Sequence, residues 1–148
     1  MFKRILVAVD GSTTAERALY ESIKLAGDLQ AQLRIVYVVD AINISLGADF
    51  PYPAEMSEAI AKSGQEILRK AGAVASKAGV PVETGLIEVD TLGQRIPEMI
   101  AAEADAWPAD LIVIGTHGRR GLSHLFLGSV AEGVVRVATK PVLLIRGE

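Results

Sequence analysis

The stretch most able to do chemistry runs from Gly115 to Ala131. It reads Gly115-Thr116-His117-Gly118, then the nine residues Arg119–Leu127, then Gly128-Ser129-Val130-Ala131. Glycines three apart let a backbone turn tightly and approach a ligand without Cβ clashes. Gly128-Ser129 opens a helical pattern. The free N–H groups and positive dipole end of a helix start favour an anion such as a phosphate. A glycine turn on one side and a helix start on the other can grip a phosphate chain from both sides. Two plainer readings stand beside this one. The glycines can make a simple turn, and Ser129-x-x-Glu132 can be a capping box that needs no ligand. For Ser129 the two roles can coexist.

Other candidates are sparser. Asp10-Gly11-Ser12 follows the first apolar run, where Asp10 suits a strand-ending turn or a helix cap as well as a ligand contact. Arg119 and Arg120 could reach outer phosphates, since arginine makes bidentate phosphate contacts, or they form a solvated loop pair. His117 and His124 have no second ligand at metal spacing. No nucleophile–base–orienter set can be assembled. There is no cysteine, which excludes disulfides, thiolate metal sites and cysteine nucleophiles. No Gly-x4-Gly-Lys-[Ser/Thr] loop exists, so P-loop phosphoryl transfer is not available.

The elements that must position these residues are legible. Apolar runs predict strands at Arg4–Val9, Gln32–Val39, Val82–Glu88, Asp110–Gly115 and Val142–Arg146. Near-continuous apolar runs suit strands covered on both faces of a parallel sheet. Helical spacing predicts Thr13–Gln30, Ala54–Lys77, Thr91–Ala104 and Gly128–Thr139. Thr13-x-x-Glu16 and Thr91-x-x-Gln94 look like capping boxes, though Pro97 moves the first turn of the third helix to near Ile96. Asp40–Pro53 is the one long irregular stretch. Trp107 reads as a helix-end packing residue. The alternation predicts an α/β fold: a three-layer, doubly wound, five-stranded parallel sheet in the order 3-2-1-4-5. Ligands of such sheets sit outside the carboxyl ends of the strands. The segments after the first, second and fourth strands should therefore share one crevice.

Composition sets the outer bounds. The 148 residues, half of them apolar, suit one domain over residues 1–148 with a real core. The net charge is −3 with both signs interleaved, and no basic stripe offers itself to nucleic acid. No stretch approaches the roughly 20 apolar residues that span a bilayer. The first apolar run is cut at Asp10, so it makes no signal-peptide core. The expectation is a cytoplasmic protein with no membrane partner.

Three segments in register carry a resemblance to a known family. Gly115, Gly118, Gly128 and Ser129 give Gly-x2-Gly-x9-Gly-Ser, which is similar to the ATP-binding motif of universal stress proteins. Ile5-Leu6-Val7-Ala8-Val9-Asp10-Gly11-Ser12 resembles their first strand, and Ala138–Arg146 resembles their last. The resemblance implies a Rossmann-like fold of the adenine nucleotide alpha hydrolase type that binds ATP, or AMP or cyclic AMP, with or without Mg. It implies that Asp10 contacts the ribose or a nucleotide-bound metal, and that Val39 offers backbone groups to the adenine edge. Ala8 would lie beside the base. Gly115, Gly118, Gly128, Ser129 and Val130 would hold ribose and phosphates, with Thr116, His117, Arg119 and Ala131 beside them. It also implies a homodimer through the last strand, Val142–Ile145, and a stress-response signalling module that switches a regulatory protein partner through a phosphate-ordered loop. Such a protein is not a dedicated enzyme. A slow ATPase and a nucleotide-free dimeric scaffold are the alternatives.

Overall fold

A computed structural model describes residues 1–40, 54–89, 91, 93–117 and 127–147. The strands are β1 (Arg4–Ala8), β2 (Gln32–Val39), β3 (Val82–Glu88), β4 (Leu111–Gly115) and β5 (Val142–Ile145). The helices are α1 (Thr13–Leu29), α2 (Ala54–Lys77), α3 (Ile96–Ala106) and α4 (Ser129–Val137). All strand pairs are parallel, and the sheet order is β3-β2-β1-β4-β5. The sheet is therefore the doubly wound one that the alternation predicts, with β1 at its centre.

The alternation of side chains sorts the core into two layers. Ile5, Val7, Leu33, Ile35 and Val113 pack with α1 and α2 on one face. Leu6, Val36, Ile112 and Ile114 pack with α3 and α4 on the other. Both sets are essentially buried. Each such side chain contributes about 1.5–3 kcal/mol on leaving water. β1 pairs Val7 with Ile35 on one side and with Val113 on the other. That register sets the ends of β1, β2 and β4 beside one another, and the chain turns outward there.

α1 and α2 begin where the spacing predicts and α4 begins one residue later, but the predicted caps differ. α1 is capped by Ser12, whose hydroxyl accepts the N–H of Ala15 at 3.1 Å; Thr13 is already helical, so the Thr13/Glu16 capping box does not form. α3 begins at Ile96 with Pro97 next, and Arg95 stands at its cap without a side-chain bond. The Thr91/Gln94 capping box is absent too. Pro97 lacks an N–H and has its φ preset, so it suits the first turn and not a position further in. Among the described residues no helix is long and apolar enough to cross a membrane.

Candidate functional site

The first strand leaves the sheet through a local turn. Val9 still donates its N–H to the Val36 carbonyl at 2.9 Å. Asp10 then accepts the N–H of Ser12 at 2.9 Å, an Asx turn that leads into the α1 cap. Asp10 thus performs the plainer of its two sequence readings in this structure. Ala8 and Asp10 are both half-buried. The second strand ends at Val39, whose side chain is core and whose carbonyl accepts the N–H of Val89 at 2.9 Å.

The fourth strand ends in a junction built on Thr116. This buried residue donates its N–H to the Ile145 carbonyl at 2.9 Å and accepts the Gly128 N–H at 2.6 Å. Its hydroxyl lies 2.9 Å from His117 Nδ1. Among the described residues His117 Nε2 is buried without a hydrogen-bond partner. The Thr116–Gly128 bond brings together the two ends of the intervening stretch. Gly118 and Arg119, with Arg120 and His124, lie outside the described residues. So do 119–126 of the Arg119–Leu127 stretch and 41–53 of the irregular one.

Two motif glycines play parts that the sequence does not reveal. A Cβ on Gly115 would fall 2.7 Å from Thr14 Cγ2 and 3.1 Å from the Thr14 carbonyl oxygen. The start of α1 rests on Gly115, a packing role beside the expected ligand contact. Gly128 gives its N–H to Thr116, so that amide is committed to the chain and is not a phosphate donor here.

The same bond decides the fate of Ser129. Gly128 is the N-cap of α4, at φ −63° and ψ 157°, with no side-chain capping bond. A Ser129/Glu132 capping box would need Ser129 to stand outside the helix, and it stands inside. Glu132 instead accepts from Arg136 at 2.9 Å. The capping box is therefore overturned. The N–H groups of Ser129, Val130 and Ala131 have no carbonyl one turn back within the helix. With the helix dipole, they form a positive end at the carboxyl edge of the sheet.

A cavity of about 420 Å³ opens at this edge, lined by Asp40, Gly93, Arg95, Ile96, Pro97, Ser129 and Val130. It gathers the end of β2, the β3–α3 connection and the start of α4. Of the residues predicted for a ligand, Ser129 and Val130 line it. The Gly93–Pro97 wall escapes the sequence reading, although the rule about carboxyl ends applies to the third strand as much as to the others. No group of three metal-ligating side chains exists among the described residues.

A five-stranded parallel sheet with helices on both faces, and an anion-favouring helix start at its carboxyl edge, define the doubly wound, Rossmann-like class. The sequence matches the universal stress protein family over residues 1–146. A universal stress protein of Methanocaldococcus jannaschii is 35% identical over 147 residues, covering 99% of this chain and 83% of that one. The crystal structure of a family member from Burkholderia pseudomallei is similar with a TM-score of 0.79 at 35% identity, covering 97% and 96% of the two chains. A universal stress protein from Archaeoglobus fulgidus, solved in complex with dAMP, is similar with a TM-score of 0.69 at 29% identity, covering 97% and 98%. This chain belongs to the universal stress protein family.

Proposed function

We propose that the chain is an adenine-nucleotide-binding signalling module, with ATP as the preferred ligand and AMP or cyclic AMP as the alternatives. The observation that carries this is the uncapped start of α4, with its first-turn amides beside a cavity at the carboxyl edge of a parallel sheet. The Archaeoglobus fulgidus relative with dAMP supports the same class of ligand. Ser129, Val130 and Ala131 would meet phosphate, and Val39 and Ala8 would flank the base. Asp10 would face the ribose or a phosphate-bound Mg. The phosphates would lie between the two ends of Arg119–Leu127, and their arrival is the signal a regulatory partner reads. Turnover would be weak at most, because nothing in the sequence assembles a nucleophile with its base. We place the protein in the cytoplasm as a homodimer through β5, an edge strand whose Leu143 is 40% exposed.

Thermal shift with ATP, AMP and cyclic AMP tests the reading. A ligand at a hundred times its Kd stabilises by about 2.7 kcal/mol, a shift of several degrees. No shift with any of the three at millimolar concentration overturns it. Mass spectrometry of small molecules released from the purified protein identifies the ligand independently.

A further inference from the structure

The Gly93–Pro97 wall adds a side chain that the phosphate motif does not contain. We propose that Arg95 pairs with a phosphate of the bound nucleotide and makes the cavity select the anionic nucleotide over the uncharged nucleoside. This rests on the adenine-nucleotide reading above and deepens it.

The argument begins with how the wall is held. A Cβ on Gly133 would collide with Cγ and Cβ of Pro97. Its absence lets the start of α3 seat against α4 one turn beyond Ser129. Two helix starts therefore face one cavity, and both present positive dipole ends. Pro97 has no N–H, which removes a donor from the first turn of α3. Arg95 is the N-cap residue of that turn and lines the cavity, and its side chain carries five N–H donors. Arg95 makes no capping bond. Arg34, Arg69 and Arg136 each pair with a glutamate, whereas Arg95 takes part in no ion pair among the described residues. Asp40 also lines the cavity, and its carboxylate is a poor neighbour for phosphate. The two charges fix the ligand's direction, phosphate toward Arg95 and Ser129 and sugar or base toward Asp40. A volume of about 420 Å³ lies in the range of small-ligand sites.

The test is calorimetric titration of wild type, Arg95→Gln and Arg95→Lys with AMP, ATP and adenosine. Arg95→Gln should weaken AMP and ATP about tenfold or more, the effect of losing a charge-assisted bidentate contact. Adenosine binding should be unchanged, and Arg95→Lys should recover part of the loss. The salt dependence of AMP binding should flatten in Arg95→Gln. Arg95 is exposed, so an unchanged melting temperature without ligand is expected and checks the fold. Equal AMP affinity in wild type and Arg95→Gln, or an equal loss of AMP and adenosine, overturns the proposal while leaving the adenine-nucleotide reading intact. A wild type that binds none of the three overturns both.

Discussion

The two ends of the sheet handle their polar groups in opposite ways. At the amino end they are tied to one another. The Asp110 carboxylate accepts the N–H groups of Lys3 and Arg4 at 2.9 and 3.0 Å. Arg4 donates to the Trp107 carbonyl at 2.9 Å, and its guanidinium lies 4.3 Å from the centroid of the same indole. The indole N–H donates to Glu83. Arg34 binds Glu103 through two nitrogens, at 2.7 and 2.8 Å. The network joins β1, β2, β3 and α3 before the strands begin to diverge. At the carboxyl end the helix start of α4 has no side-chain cap, His117 Nε2 has no partner among the described residues, and a cavity stands open. Buried polar groups are normally satisfied. An end that satisfies them internally serves the fold. An end that leaves a helix start beside a cavity fits the proposed binding role.

Trp107→Ala should give the largest effect and the sharpest contrast. It removes a 9% exposed indole, with its stack on Arg4 and its bond to Glu83. Urea denaturation should show a loss of about 3–5 kcal/mol. Nucleotide affinity measured well below the melting temperature should not change, because the indole lies at the far end of the strands. A tenfold loss of affinity in a folded variant would break the contrast between the two ends.

Gly115→Ala probes the carboxyl end, where fold and site meet. Its Cβ would press on Thr14 Cγ2 at 2.7 Å and on the Thr14 carbonyl oxygen at 3.1 Å. Overpacking of this kind costs about 1–3 kcal/mol. Thr14→Ser removes the methyl group and leaves the carbonyl, so the double variant should recover part of the loss. A double-mutant cycle in urea isolates that coupling. If Gly115→Ala keeps its stability and loses only nucleotide, the glycine is there for the ligand after all.

The fold was far more legible than the site, for physical reasons. Apolar parity separates Ile5 and Val7 from Leu6, and buried runs bounded by Gly, Asp and Pro locate every strand to within a residue. Asp110 shows the limit, since its carboxylate turns back to Lys3 and Arg4 and the strand starts at Leu111. Pro97 undid the Thr91/Gln94 capping box, and the other two failed for a shared reason. A Ser or Thr three residues before Glu or Gln is a local pattern, while the choice of cap is settled by what precedes it. Ser12 displaced Thr13, and Gly128, bonded to Thr116 twelve positions earlier, displaced Ser129. The roles of Gly115, Gly133 and Arg95 were hidden because each depends on a segment distant in sequence. The universal stress protein motif contains no residue of the Gly93–Pro97 wall.

The smallest effect belongs to a pair on α2, away from both ends. Arg69 binds Glu66 through two nitrogens, at 2.6 and 2.9 Å. The side-chain hydrogen bond from Arg69 holds the Glu66 carboxyl below its ordinary value, and the same bond raises the Arg69 guanidinium. Because the folded value of Glu66 is depressed, its contribution is present above the unfolded carboxylate value and is lost as the pH falls through the folded one. The raised value of Arg69 means its contribution is complete below the unfolded arginine value, so it stays constant at neutral and acid pH. Both side chains are largely exposed, and exposed pairs are screened by solvent and salt. Wild type and Glu66→Gln, compared by thermal denaturation across pH, should differ slightly at neutral pH and converge in acid. A large difference, or one that grows in acid, would mean that this surface pair carries weight here assigned to the network around Trp107.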